Sequence, residues 1–326
     1  MKALLLALMF AACVTSHAAN APVESLLRRM DNAMAQQTYD GVFTYMRGDS
    51  VSSLRIMHTV INGVHYERLI HLDGSPREIL RIGSKVLCSL MPGDELADLT
   101  DDIPVGPFAQ TFVRNYRQIP GQYRLVLNGM SRVAGRAAQM ISIDPVDADR
   151  YAHQLWLDEA TGMLLKSQLV AADGSALEVF QFAQISLGRA LAAREFVPTT
   201  EAGKVVHVLN ASPAPQRTSA ASRWRVGWLP KGFSMAAHNV RPAVGGAAGL
   251  QTMFYGDGLA ALSVFIEPMP SGANVAEPAQ IMREGATVAL SVTAHNGARQ
   301  GYLVTVVGEV PRATAERVAR SVLEQH

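Results

Sequence analysis

Cysteine, net charge and long apolar runs are all scarce in this chain of 326 residues. Its two cysteines are Cys13 and Cys88, and Cys13 falls in an N-terminal leader, so the remainder cannot form an intramolecular disulfide. Basic and acidic side chains nearly balance at a formal net charge of +1, which argues against nucleic acid as a partner. Beyond the leader, no apolar run is long enough to span a membrane. Cys88, in the alternating segment VLCSL, is predicted to be a buried, inert thiol.

Catalytic motifs are missing as well. The sequence contains no GxSxG, Walker loop, HExxH, CxxC or GxGxxG. His65 and His71 share a predicted strand but would lie about 20 Å apart, too far to hold one metal. Gly256-Asp257-Gly258 between two apolar segments favours a turn over a phosphate-binding loop. The sequence therefore predicts a protein without cofactor or metal that is not an enzyme; a hydrolase stays possible only if scattered residues converge in space.

The first residues are typical of an export signal. Lys2 precedes the apolar stretch ALLLALMFAA, and Ser16-His17-Ala18 supplies the small residues of a cleavage site, with Ala19 as the neighbouring choice. We therefore expect cleavage after Ala18 or Ala19 and a periplasmic mature protein. Phe10-Ala11-Ala12-Cys13 approaches a lipoprotein box, which leaves a lipid-anchored Cys13 as the less favoured alternative.

The mature chain divides into two parts joined by a linker. The segment NASPAPQRTSAAS, residues 210–222, is small and polar and has no apolar period, so we place a larger domain at 20–209 and a smaller one at 223–326. Apolar spacing predicts a first helix through Val23, Leu26, Leu27, Met30 and Met34, a short helix through Phe108, Phe112 and Tyr116, and a last helix through Ala315, Val318, Ala319, Val322 and Leu323.

Period-2 alternation between turn residues predicts a long antiparallel meander in the larger domain. Its strands are expected at 41–48, 52–61, 64–73, 77–83, 85–90, 123–129, 137–145, 153–158, 163–171 and 176–187. In the smaller domain, Gly256-Asp257-Gly258 and Asn296-Gly297 indicate hairpins. The predicted fold class is α+β, mainly antiparallel β, with a large domain and a smaller α+β domain.

The segment LWLDEATGMLLKSQL, residues 155–169, raises the question of whether Asp158 and Glu159 are an acid/base pair. Leucines alternate on both sides of the acidic pair, and Gly162 follows it. Asp and Gly beside period-2 runs are typical of a hairpin turn. We therefore interpret the two carboxylates as turn residues, and expect Asp158 to be solvated with an ordinary pKa.

Several segments resemble the RseB/MucB family of periplasmic negative regulators of sigma-E or AlgU-type activity. In the smaller domain they are MFYGDGLAALSVFIEPM at 253–269 and LVTVVGEVPRATAERVARSV at 303–322. In the larger domain they are YDGVFTYMRG at 39–48, LDG at 72–74, residues 131–169 and EVFQF at 178–182. The resemblance covers nearly the whole mature chain, with both domains in order.

The resemblance implies a fold for the larger domain. In this family that domain is similar to the lipoprotein carriers LolA and LolB, in which a curved antiparallel half-barrel covered by helices encloses an apolar cavity. An ordinary filled core is the alternative for each apolar residue taken singly. The candidate lipid-binding residues are Phe43, Tyr45, Ile56, Phe108, Phe112, Tyr116, Leu155, Leu157, Leu165, Leu169, Phe180 and Phe182.

The resemblance also implies a binding function. Such proteins hold the periplasmic domain of a RseA/MucA-like membrane anti-sigma factor, shield it from site-1 proteolysis and release it when lipopolysaccharide or lipid acyl chains bind. The candidate partner-binding residues in the smaller domain are Met253, Phe254, Tyr255, Gly256, Asp257 and Gly258. A lipid or lipoprotein carrier is the alternative function, and a homo-oligomer is possible.

Overall fold

The computed structural model describes residues 21–90, 121–198, 205–210, 224–241, 249–269, 280–295 and 301–324. The described residues up to Asn210 include one α-helix, a short 3-10 helix at Ala193–Glu195 and eleven strands. The α-helix and the strands are α1 (Ala21–Gln36), β1 (Tyr39–Arg47), β2 (Ser50–Ile61), β3 (Val64–His71), β4 (Glu78–Ile82), β5 (Lys85–Leu90), β6 (Tyr123–Val133), β7 (Arg136–Pro145), β8 (Ala152–Asp158), β9 (Leu164–Val170), β10 (Ala176–Leu187) and β11 (Val205–Asn210).

The eleven strands form a single antiparallel sheet that does not close. Their order is β11-β5-β4-β3-β2-β1-β10-β9-β8-β7-β6, so β11 and β6 are its edges. Strands β6 and β10 stand four places apart in this order, yet they contact each other. The sheet is therefore strongly curved, as an open half-barrel requires. This confirms the predicted architecture of the larger domain.

Helix α1 lies against one face of this sheet, which we call the inner face. Its apolar side chains at positions 23, 27, 30 and 34 are buried, in the i, i+4, i+7, i+11 spacing that places them on one side of a helix. They share one core with inner-face side chains from β1 to β10. The described helices include none that is long and apolar enough to cross a membrane.

The second part of the chain forms a smaller domain with its own sheet. Its elements are β12 (Trp224–Val226), β13 (Ser234–Arg241), β14 (Leu250–Gly256), β15 (Ala261–Pro268), β16 (Gln280–Glu284), β17 (Thr287–His295), β18 (Gly301–Gly308), α2 (Arg312–Arg320) and β19 (Val322–Glu324). Six strands pair in the order β13-β14-β15-β18-β17-β16, and β12 pairs with β19. Helix α2 packs on β17 and β18, which gives the domain a separate core.

The last helix is shorter than its apolar spacing predicts. Helix α2 ends at Arg320, and Val322 and Leu323 belong to β19 instead. Two hydrogen bonds of Ser321 explain the change: its hydroxyl donates to the Val318 carbonyl at 2.8 Å and accepts the Trp228 N–H at 3.0 Å. The chain then leaves the helix and pairs with β12.

Candidate functional site

The candidate lipid-binding residues of the described sheet line its inner face. Phe43, whose ring centroid lies 4.8 Å from Phe180 and 5.9 Å from Phe182, forms the centre of an aromatic group. The same buried core includes Ile56, Leu155, Leu157 and Leu165, while Tyr45 packs against its margin. Phe108, Phe112 and Tyr116 lie outside the described residues.

The aromatic group requires glycine at position 41. Gly41 pairs with Ile56 on β2 and Ile185 on β10. A Cβ atom at Gly41 would lie 2.6 Å from Phe182 Cε1 and 2.8 Å from the Gln184 carbonyl oxygen. Only glycine lets β1 and the Phe182 ring approach this closely.

Leu169 belongs to a different cluster, which the two domains share. It packs with Tyr151 and Leu177 of the larger domain and with Ala286, which connects β16 and β17 of the smaller domain. All four side chains are buried, and Ala286 is 0% exposed. The smaller domain therefore covers part of the larger domain's sheet.

A second contact between the domains is made by the turn that joins β14 to β15. Leu259 in this turn is 3% exposed and belongs to the core formed by α1 and the large sheet. Asp257 accepts a hydrogen bond from the Tyr123 hydroxyl at 3.1 Å and lies 3.2 Å from Arg150 Nε. We call residues 256–260 the docking turn, because it reaches into the other domain.

Arg150 is held by both domains at once. Its guanidinium donates to the Asp147 carboxylate at 2.8 Å and to the Lys231 carbonyl at 2.6 Å. It also lies between two rings, with its central carbon 5.5 Å from the Tyr123 centroid and 5.4 Å from that of Phe233. The side chains of Arg150 and its partner in the docking turn are both 0% exposed. Arginine suits this position because its planar guanidinium can donate several hydrogen bonds and stack against aromatic rings at the same time.

A third group of contacts surrounds the turn between β16 and β17. Glu178 of β10 accepts the Ala286 N–H at 3.3 Å. Arg47 of β1 donates to the Thr287 hydroxyl at 3.1 Å and lies 4.0 Å from a Glu284 carboxylate oxygen. With the docking turn, these contacts join the two sheets into one unit through two hairpin ends of the smaller domain.

The predicted partner-binding residues divide between the small core and this interface. Met253 and Tyr255 are buried within the core of the smaller domain, and Phe254 is half-buried. Gly258, at φ +101, allows the docking turn, while Asp257 faces the larger domain. Each of these residues thus has a structural role, and its contact with a partner stays a prediction.

A polar row crosses the inner face of β1 to β4, a feature that the scattered spacing of histidines did not reveal. Tyr39 lies opposite His58, His58 opposite Glu67, and Glu67 opposite Arg81. The first three are 0% exposed and Arg81 is 6% exposed. Burial, followed by the negative charge of Glu67, raises the pKa of Tyr39 well above its usual value.

His58 is the histidine of this row. Its Nδ1 donates to the Gln37 carbonyl at 2.7 Å, and its Nε2 lies 3.4 Å from His65 Nδ1. Burial lowers the pKa of His58 to about 4, against the hydrogen bond to Gln37 and with a smaller contribution from His65. The imidazole is therefore uncharged at neutral pH.

The turn at Asp158 is confirmed, but the expectation that its carboxylate is solvated is wrong. Asp158 is 3% exposed. It accepts two hydrogen bonds from Arg136, at 2.7 and 3.1 Å, and two from the N–H and hydroxyl of Thr161. Burial raises its pKa, but the bonds from Arg136 and Thr161 outweigh burial and the pKa is lowered. The side chain caps the turn and anchors β7, which is a structural role.

Two further predictions concern reactive groups. Cys88 is a free, buried cysteine, which confirms the predicted burial, and burial raises the pKa of its thiol to about 11. Among the described residues, no group of three or more His, Cys, Asp or Glu side chains is arranged to hold a metal ion.

Known proteins resemble this chain over both domains. The MucB/RseB N-terminal domain family matches residues 22–200, and the MucB/RseB C-terminal domain family matches 218–323. The sigma factor AlgU regulatory protein MucB of Pseudomonas aeruginosa is 37% identical over 299 residues, which cover 91% of this chain and 89% of that protein. The sigma-E factor regulatory protein RseB of Escherichia coli is 26% identical over 301 residues, with the same two coverages of 91% and 89%.

Solved structures give the same result. The complex structure of Pseudomonas aeruginosa MucA/MucB superposes with a TM-score of 0.74 at 36% identity, covering 94% of this chain and 99% of that one. A crystal structure of MucB gives a TM-score of 0.58 at 34% identity, covering 94% of this chain and 98% of that one.

Proposed function

This chain belongs to the MucB/RseB family, and on that premise we propose that it binds the periplasmic segment of a MucA- or RseA-like anti-sigma factor. Bound there, it keeps the segment from site-1 protease, so that the envelope-stress sigma factor stays inactive. The proposal places the mature protein in the periplasm, after removal of the leader, and gives it a binding role without catalysis.

The observation that carries this proposal is the docked pair of domains. A buried ion pair, a shared apolar cluster and two hairpin ends hold the smaller domain against the larger one. Interfaces within one chain are often modest and polar, whereas this one includes fully buried side chains. A partner segment therefore meets a single two-domain surface, and its affinity depends on how the domains are arranged.

Solved structures of the relative MucB support a protein partner. The chain superposes with TM-scores of 0.74 and 0.71 on MucB in its complexes with MucA and MucA(peri), at 36% and 35% identity.

Release by lipid is the second part of the proposal. Lipopolysaccharide or its acyl chains would enter the inner face of the half-barrel, among buried apolar side chains that include Phe43, Phe180 and Phe182. By linkage, a lipid that favours the arrangement without partner must weaken partner binding, and the partner must weaken lipid binding equally.

A protection assay tests the proposal on the mature chain. The periplasmic segment of the cognate anti-sigma factor is incubated with site-1 protease, with and without the protein, and its half-life is measured. We expect the protein to lengthen the half-life and added lipopolysaccharide to shorten it again. Unchanged cleavage in the presence of the protein, at concentrations where the protein stays folded, would reject the proposed function.

A lipid or lipoprotein carrier is the alternative, and the apolar inner face is the observation that favours it. Such a carrier needs only the half-barrel, and the docked smaller domain has no part in it. Transfer of a labelled lipoprotein or lipid from donor to acceptor vesicles by the mature chain, without protection of an anti-sigma segment, would support the carrier instead.

A further inference from the structure

We propose that the docking turn is a built-in occupant of the half-barrel, and that a lipid acyl chain binds by taking the place of Leu259. This inference rests on the proposed release by lipid and adds the site at which lipid acts. It assigns the ligand a chemical class, a long saturated acyl chain, and it assigns the smaller domain the competing side chain.

The first argument is the position of Leu259. The residue lies between β14 and β15 of the smaller domain, whose own core contains Met253, Leu262 and Val264. Its side chain is nevertheless part of the other core, with α1 and the inner face of the large sheet. An aliphatic group from outside the half-barrel is thus buried within it, which is what an acyl chain would do.

The second argument is the chemistry of the turn around Leu259. Asp257 Oδ1 accepts the N–H groups of Leu259 and Ala260 at 2.9 and 2.8 Å. Oδ2 of the same carboxylate faces Tyr123 and Arg150 of the larger domain. One side chain therefore shapes the turn and docks it, so Leu259 cannot leave the half-barrel core without separating a buried ion pair.

The consequence is a direct link between ligand and domain arrangement. If an acyl chain and Leu259 occupy the same place, lipid binding requires the docking turn to leave. The Asp257 and Arg150 charges then separate into water, and the smaller domain loses one of its contacts with the larger one. Because Leu259 and the acyl chain exclude each other, lipid would change the partner-binding surface without contacting the partner.

The experiment compares Leu259→Ala with the unaltered mature chain. A dansyl-labelled fatty acid below its critical micelle concentration is the probe, and its fluorescence gives the affinity. We expect the variant to bind the probe about 10-fold more tightly, since burial of one leucine side chain favours the docked state by at least that factor. The same variant should bind the anti-sigma segment more weakly.

Leu290→Ala is the matched control, because Leu290 is 0% exposed within the smaller domain's own core. It removes the same atoms and destabilises the same domain, but it vacates no room in the half-barrel, so its probe affinity should stay at the wild-type value. Equal probe affinity of wild type and Leu259→Ala, or tightening by both variants alike, would overturn the inference.

Failure of the proposed function gives a different pattern. If the unaltered chain and Leu259→Ala both bind neither the probe nor lipopolysaccharide, release by lipid is wrong and the inference falls with it. If the unaltered chain binds both, and only the response to Leu259→Ala is missing, release by lipid stands and the assignment of the acyl site is wrong.

Discussion

Asp257→Ala should undock the two domains, because it removes one member of a fully buried ion pair. The side chains of Asp257 and Arg150 are both 0% exposed, and their charged groups lie 3.2 Å apart. Loss of one partner of a buried pair costs about 3–5 kcal/mol, and loss of the Tyr123 hydrogen bond adds about 1 kcal/mol. Arg150 keeps its bonds to Asp147 and to the Lys231 carbonyl, so we expect a total at the lower end of this sum, about 4 kcal/mol.

Urea unfolding, followed by circular dichroism, measures this loss, and a pair of dyes on the two domains reports undocking. Asp73→Ala is the control, because Asp73 also accepts a backbone N–H, from Ser53 at 2.8 Å, but in an exposed turn. We expect it to cost below about 1 kcal/mol. Arg150→Met should cost less in the Asp257→Ala background than alone, because the ion pair with Asp257 is then already lost, whereas the bonds to Asp147 and the Lys231 carbonyl are lost in both backgrounds. Equal effects of the two aspartate variants, or equal costs of Arg150→Met in both backgrounds, would refute the reasoning.

Three further predictions address the half-barrel. The folded-state pKa of His58, about 4, lies below its usual 6.5. The stability that neutral His58 contributes, about 3 kcal/mol, is therefore complete above pH 6.5 and is lost as pH falls towards 4. In urea titrations at several pH values, His58→Gln should make the free energy of unfolding less dependent on pH. Gly41→Ala should destabilise the domain by about 1–3 kcal/mol through its clash with Phe182, measured as a lower Tm, and an unchanged Tm would contradict the packing described. Leu157→Asp or Phe180→Asp should weaken lipid A binding in protein that still folds, because each places an unpaired charge in a buried position. Unchanged affinity would mean that both residues belong to the core and do not line a lipid site.

The strands that the sequence did not predict lie at sheet edges, although the edge strand β6 was predicted. All ten strands from β1 to β10 were predicted within a few residues, because period-2 alternation continues between clear turn residues such as Asn62-Gly63. Strands β11, β13 and β16 were not predicted, and β19 was predicted as the end of a helix; all four lie at the edges of their sheets. An edge strand is less buried, so its side chains need not alternate: Gln280–Glu284 has no buried residue.

The docking of the two domains could not be predicted, and Asp257 shows why. Its flanking glycines indicate a turn, and the turn is present. The same residue approaches Arg150, which is 107 positions away in sequence (257 minus 150). Neither side chain lies in a pattern that marks it as buried, and charged residues are buried only when a partner is at hand. The pairing becomes visible only when the two domains are placed together.

The polar row of the inner face was hidden for the same reason. His58 and His65 are seven positions apart on different strands, and the β2–β3 hairpin brings them within 3.4 Å. Strand register supplies this contact, and register depends on the turn between the strands. Counting histidines along the chain therefore gave no indication of the cluster.

Titration of a labelled anti-sigma segment against three forms of the protein tests the central claim most directly. The forms are the mature chain, residues 20–209 and residues 223–326, each with and without lipopolysaccharide. We predict that both separate domains bind the segment more weakly than the whole chain, and that lipopolysaccharide inhibits binding only when the domains are joined. Full binding by residues 223–326 alone, with displacement of the segment by lipopolysaccharide from that domain, would contradict the account.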